Sequence, residues 1–181
     1  AIAEVTKKYG IYAVVGMAEK DQNDSGNVYN AAVVCGPEGV IGCYRKLHPA
    51  LQESCWCDKG SSPFLFDTPW GPVGVGICYD VYAFPELMRY YAAKGARLYL
   101  NATCVIRNNF DWKSYYVSTQ ESAVMVNEIF IATSNLTGNE FIDLEDGGCE
   151  VLATHMASDF AGGSVIIGPG LDKRATLYAG D

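Results

Sequence analysis

Short apolar runs of strand length recur along the chain, each closed by Gly, Pro or a polar cluster. Ile11 to Gly16 (IYAVVG) is continuously apolar, the pattern of a strand buried on both faces. Val28 to Cys35 and Val40 to Tyr44 flank Gly36-Pro37-Glu38-Gly39 and predict a hairpin. Phe64 to Asp67 and Val73 to Ile77 predict a second hairpin, across Pro69-Trp70-Gly71. Arg97 to Asn101 and Ile129 to Ser134 read as further buried strands. Ser164 to Ile167 and Ala175 to Tyr178 close a last hairpin over Gly168-Pro169-Gly170.

Helical signals fall between these strands. The opening AIAEVTKKYG reads as the last turns of a helix stopped by Gly10. Pro85 to Lys94 has Pro in its first turn, Glu86 near its positive end and Gly95 just past its close. Asp111 is placed to cap a helix from about Trp112 to Asn127. Residues 138–163 read as a long acidic loop, the kind that carries function. Hairpins alternating with strand–helix–strand units predict an α/β fold, a mixed sheet with helices packed on it. No repeat or linker divides residues 1–181, so they read as a single domain. The elements at both ends look cut, which suggests a partial domain.

Composition narrows the function classes. The 181 residues are 49% hydrophobic and 19% charged, ordinary for a globular chain. A net charge of −8 with no Lys/Arg cluster argues against nucleic acid as a partner. No apolar run reaches membrane-spanning length. The seven cysteines lack the spacing of a small disulfide scaffold, and a reducing cytoplasm fits them best.

Gly74-Val75-Gly76-Ile77-Cys78-Tyr79-Asp80 places a cysteine where a buried strand turns into a helix. Strand ends in α/β sheets open into the crevice where ligands bind, so Cys78 is a candidate nucleophile. A plain core cysteine explains this run equally well. In Tyr44-Arg45-Lys46-Leu47-His48-Pro49, Lys46 at a strand end can reach into a cleft, lower a thiol pKa or stabilise an oxyanion. A solvated basic cluster is the alternative. Glu53, taken alone, reads as a surface carboxylate.

The order of these residues resembles the nitrilase, or carbon–nitrogen hydrolase, superfamily. The resemblance runs from YNAAVVCGPEGVIGCYRKLHP through FLFDTPWGPVGVGICYD and FPEL to NLTG and GGSVIIGP, nearly the whole chain. It implies an αββα sandwich and hydrolysis of non-peptide C–N bonds through a cysteine acyl-enzyme. In this likeness Cys78 matches the nucleophile, Lys46 the catalytic lysine and Glu53 a supporting glutamate. The Tyr79 N–H would complete the oxyanion site, with Asn101 and Thr103 beside the substrate pocket. The family's general base is a glutamate of an early loop, and neither Glu4 nor Glu19 matches its motif, so the base stays unassigned. The chain also departs from many relatives in lacking an arginine after Asp80 and in carrying Val126 before Asn127.

The implied substrate is a small amide, ω-amide or N-carbamoyl compound, with water as co-substrate and no cofactor. A nitrile hydrolase, or a non-catalytic member kept for binding or assembly, is the alternative. Relatives pair across helices near the nucleophile, so a homodimer or larger homo-oligomer is expected. Cys55, Cys57 and His48 have poor spacing for zinc, and no metal is expected. Arg107 is a candidate for binding a substrate carboxylate, and Tyr79, Tyr82, Tyr115 and Tyr116 for an aromatic pocket, though surface and core roles explain them as well. Nothing recruits His155 to the chemistry.

Overall fold

The computed structural model describes residues 1–23, 26–105, 113–142, 156–170 and 176–178. Helix α1 (Ile2–Tyr9) ends at Gly10, whose left-handed φ of 63° lets its N–H cap the Thr6 carbonyl. Strands β1 (Ala13–Lys20), β2 (Val28–Gly36) and β3 (Gly39–Arg45) form an antiparallel three-stranded sheet in that order. β1 runs further than its apolar core predicts and is not buried on both faces. It pairs only with β2, so much of it stays exposed.

The second sheet has six strands in the order β11-β10-β7-β6-β5-β4. Its members are β4 (Phe64–Thr68), β5 (Gly71–Ile77), β6 (Leu98–Thr103), β7 (Phe130–Asn135), β10 (Val165–Ile167) and β11 (Thr176–Tyr178). β5, β6 and β7 run parallel, while β4, β10 and β11 pair antiparallel at the flanks. Parallel neighbours require crossovers, and helices supply them. Helices α2 (Tyr79–Tyr82) and α3 (Pro85–Ala93) join β5 to β6, and α4 (Ser118–Asn127) joins β6 to β7. A wider helical turn at Lys113–Val117 leads into α4, while the expected cap Asp111 lies outside the described residues.

α1 packs on β2 and β3, the two sheets face each other, and α3 and α4 pack on β5, β7 and β10. The layers are therefore helix, sheet, sheet, helix, as the resemblance implied. Residues 138–163 are not one loop. They include most of β8 (Thr137–Ile142) and β9 (Met156–Ala161), which pair as an antiparallel ribbon. Neither TGNEFI nor MASDFA alternates apolar with polar residues, so the pattern of the chain gave no strand signal there.

Alternation along β5 decides how the layers fit. Val73, Val75 and Ile77 fill the core, and the glycines between them leave room for buried tyrosines. A Cβ on Gly76 would lie 1.7 Å from the Tyr99 hydroxyl, so only glycine fits. On β5's helix side the Tyr91 hydroxyl donates to the Val75 carbonyl at 2.8 Å and accepts from the Phe64 N–H at 2.9 Å. The strand that ends in Cys78 is thus packed on both faces and tied at its edge.

Candidate active site

Cys78 stands where β5 gives way to α2, with φ 49° and ψ −103°. A side-chain-bearing residue in this region stores strain, and it persists only where its surroundings hold it. Its N–H donates both to the Ala102 carbonyl at 2.9 Å and to Asn101 Oδ1 at 2.8 Å. The following Asp80, fully buried, ties the turn down. Its carboxylate accepts from the Ile77 N–H at 3.0 Å and the Tyr44 hydroxyl at 2.7 Å. The His48 N–H donates to it at 3.0 Å, and His48 Nδ1 lies 2.9 Å away.

Asp80 therefore joins the segment after β3 to the turn after β5. Burial pushes its carboxyl up, against donors from Tyr44, Ile77 and His48 and the charge of Lys46. The His48 ring stacks on Phe84, with centroids 3.7 Å apart, and Tyr79 meets Phe84 edge-on. Asp80 and Tyr44 were not singled out in the sequence. A carboxylate two residues past the candidate nucleophile, in an apolar run, was the available signal.

Lys46 is fully buried, not part of a solvated cluster. Its Nζ lies 2.9 Å from Glu53 Oε1 and 2.6 Å from Oε2. Glu53 is no surface carboxylate either. It sits on a short 3-10 helix, Leu51–Cys55, and accepts from the Ala50 N–H at 2.7 Å and from Asn30 Nδ2 at 3.1 Å. The loop returns against the end of β3 through Gly60, whose N–H donates to the Lys46 carbonyl at 2.8 Å. A Cβ on Gly60 would lie 2.1 Å from the Arg45 carbonyl oxygen, so this approach needs glycine.

The expected lowering of the thiol pKa is corrected. Burial pushes the Cys78 thiol up, and Glu53 adds to that. The Lys46 charge, the Thr103 hydroxyl and the Cys104 N–H pull it down, and burial wins. Glu53, 2.6 Å from the Lys46 ammonium, offsets part of the cation's pull on the sulfur.

Asn101 lies among the residues lining a cavity between the two sheets, and its amide is held by buried polar partners. It is 3% exposed, its Oδ1 accepts from the Cys78 N–H, and its Nδ2 donates to Thr133 Oγ1 at 3.3 Å and the Tyr82 hydroxyl at 3.4 Å. Both ends of its amide are committed beneath the turn. Thr103 is half-buried, and its hydroxyl accepts from the Tyr82 hydroxyl at 3.2 Å. Tyr82 is buried in the core and Tyr116 is fully buried, whereas Tyr79 is half-buried and Tyr115 exposed. Glu19 is drawn away to Arg45 at 2.8 Å, and Glu4 is exposed on α1. Arg107 and His155 lie outside the described residues.

A cavity of 520 Å3 opens between β1 and the strands β6, β7 and β10, lined by Val14, Leu100, Ala132 and Ile166 among others. It holds no titratable side chain, so the candidate chemistry sits at Cys78, Lys46 and Glu53 instead. Five cysteines are free among the described residues, and Cys55 is disulfide-bonded.

Residues 1–174 match the family model described as carbon-nitrogen hydrolase. The omega-amidase NIT2 of Danio rerio is 34% identical over 149 residues, covering 77% of this chain and 52% of that protein. A nitrilase of Pyrococcus abyssi is 35% identical over 141 residues, covering 77% and 50%. The chain spans about half the length of the curated relatives it matches. Among solved structures, Saccharomyces cerevisiae Nit3, a member of branch 10 of the nitrilase superfamily, superposes with a TM-score of 0.79. It is 23% identical, over 99% of this chain and 59% of that one. An amidase from Nesterenkonia superposes with a TM-score of 0.74 at 24% identity, over 93% and 57%.

Proposed function

The chain belongs to the carbon–nitrogen hydrolase family, and from that membership we propose that the protein hydrolyses a small amide, ω-amide or N-carbamoyl compound through an acyl-enzyme on Cys78. The observation that carries the reading is Cys78 held at a strained strand-to-helix turn, within electrostatic reach of a buried Lys46–Glu53 pair. The relatives' printed names, omega-amidase and nitrilase, support the same bond class. A variant of the Nesterenkonia amidase carries the acetamide moiety of fluoroacetamide covalently at its active-site cysteine.

In this reading the Cys78 sulfur attacks the carbonyl carbon, forming the S–C bond and sending the C=O π pair to oxygen. The Lys46 ammonium and the Tyr79 N–H stabilise that oxyanion, and Glu53 holds the ammonium in place. Collapse breaks the C–N bond, the amine leaves with the thiol's proton as ammonia, and water hydrolyses the thioester to a carboxylic acid. Because the thiol is pushed up, its proton leaves during attack rather than beforehand, which needs a base. That base is not assigned.

We also propose that residues 1–181 form part of a single domain, that the protein assembles as a homodimer or larger, and that it resides in the cytoplasm. Five free thiols among the described residues support that compartment, while the Cys55 disulfide argues the other way. Thiol counting without reductant decides between them. For the activity, ammonia release is measured over a panel of simple amides, ω-amides, N-carbamoyl compounds and nitriles. At least one amide class should turn over and leave a transient acyl mass on the Cys78 peptide. Turnover that survives Cys78→Ala would sink the mechanism, and turnover of nitriles alone would make the alternative substrate class correct.

A further inference from the structure

Lys46 follows β3 of the three-stranded sheet and Cys78 ends β5 of the six-stranded one, so their separation depends on what spans the two sheets. The hydrogen bonds of the Lys46 backbone stay on its own side. Its N–H donates to the Asn30 carbonyl of β2 at 2.8 Å, and its carbonyl accepts from the Gly60 N–H at 2.8 Å. The span to β5 is made by Asp80. Its Oδ1 accepts from the His48 N–H at 3.0 Å and lies 2.9 Å from His48 Nδ1. Its Oδ2 accepts from the Ile77 N–H at 3.0 Å and from the Tyr44 hydroxyl at 2.7 Å. That hydroxyl in turn accepts from the Leu47 N–H at 3.2 Å. Tyr44, Leu47 and His48 bracket Lys46 in the chain, while Ile77 and Asp80 bracket Cys78.

We infer that the Asp80 carboxylate, with Tyr44 and His48 as its arms, is a clasp that sets the separation of the Lys46 ammonium from the Cys78 sulfur. All three are positioning residues. The inference rests on the reading of Cys78 as the nucleophile and Lys46 as its cation.

The saturation of the carboxylate favours a clasp over the other role open to it, that of the unassigned general base. A carboxylate offers about four lone-pair sites, and here two donors face each oxygen. Asp80 and Tyr44 are fully buried, so neither reaches water or substrate. Four donors leave no room for a proton on Asp80 itself, so it is the anion and His48 Nδ1 carries the hydrogen between them.

Two further features hold the clasp shut. Losing a donor would leave a buried anion short of partners, which is costly. The His48 ring stacks on Phe84 with centroids 3.7 Å apart, which fixes the direction in which Nδ1 points. The turn that Asp80 ties down is also the strained one, with Cys78 at φ 49°, and such a backbone persists only where its surroundings hold it.

Competition between iodoacetate and iodoacetamide for Cys78, read by peptide mapping, tests the clasp without any substrate. A cation held near the sulfur favours the anionic reagent, so the ratio of the two labels reports where the Lys46 charge sits. Tyr44→Phe and His48→Leu should each lower that ratio by about threefold, the order expected when a cation recedes from an anion by about 1 Å. His48→Asn places an amide N–H where Nδ1 stood and should restore the ratio. Asn is as uncharged as Leu, so that recovery separates the tie from a charge effect. In a Lys46→Met/Glu53→Gln background, Tyr44→Phe and His48→Leu should leave the ratio unchanged. On an amide that turns over, the same two variants should lower kcat by about tenfold or more with KM held, because the clasp acts through other groups. An unshifted ratio in both variants would overturn the inference even if their melting temperatures fall, since a merely structural tie moves the melt alone. Equal shifts in His48→Leu and His48→Asn would overturn it too, as would a raised KM with kcat held. Should Tyr44→Phe not fold, the two His48 variants decide by themselves. A wild type that releases no ammonia from any amide would instead strike the proposed activity alone, because the labelling ratio does not depend on it.

Discussion

At the scale of the residue, burial reverses two readings that polarity suggests. Lys46 belongs by type to the solvated surface, yet no part of it reaches solvent, and Glu53 neutralises it. Removing one partner of such a pair is worse than removing both, because the survivor is left buried and uncompensated. Lys46→Met should therefore abolish turnover by about a hundredfold or more and also destabilise the fold by a few kcal/mol. Lys46→Met with Glu53→Gln should recover most of the stability and none of the turnover. Thermal melts and ammonia release measured side by side check both halves. A single variant as stable as wild type would mean that the pair contributes no folding constraint.

At the scale of the element, the three-stranded sheet is stitched by charge across its outer strands. Arg45 on β3 reaches over β2 to Glu19 on β1 at 2.8 Å, and its guanidinium lies 4.0 Å from the Tyr29 ring centroid. Hydrogen bonding and charge from Arg45 hold the Glu19 carboxyl below its usual 4.5. A carboxyl depressed by folding stabilises the fold above its unfolded value, so this contribution is present above pH 4.5 and lost as pH falls through the lower, folded value. Both partners are partly exposed, which limits the coupling to roughly 1 kcal/mol or less. A double-mutant cycle with Glu19→Gln and Arg45→Met should show that coupling at pH 7 and its disappearance under strong acid. An equal coupling at both pH values would rule out the ion pair as its source.

At the scale of the molecule, the helices on the outer face of the six-stranded sheet leave apolar side chains in the open. Tyr90 on α3 and Met125 and Val126 on α4 are 41%, 49% and 53% exposed, and Arg89 links the two helices by donating to the Val126 carbonyl at 2.8 Å. Such a patch favours a second copy as its cover. Sedimentation at micromolar concentration should give a dimer or larger species, and Val126→Lys with Met125→Glu should shift it toward monomer. A wild type that sediments as a monomer would refute the proposed assembly.

Much of this was legible in the order of residues. The apolar runs predicted most strands of both sheets. Gly10, Gly95 and Pro85 marked helix ends, and the GICYD and YRKLHP runs identified Cys78 and Lys46. These signals are local, set by side-chain size, backbone freedom and period. The sequence did not show that β1 is exposed at a sheet edge, because a continuous apolar run reads the same whether or not a neighbour covers it. Nor did it reveal the β8–β9 ribbon, whose strands carry no alternation of apolar and polar residues. Asn101 was expected beside the substrate pocket, and its ties to Thr133 and Tyr82 were not foreseen. Only the register of β5, β6 and β7 turned its amide under the turn. The direction of the Cys78 pKa was also beyond the sequence. It is a balance between burial and a cation whose charge Glu53 offsets, and that balance exists only once residues distant in the chain are brought within a few ångströms.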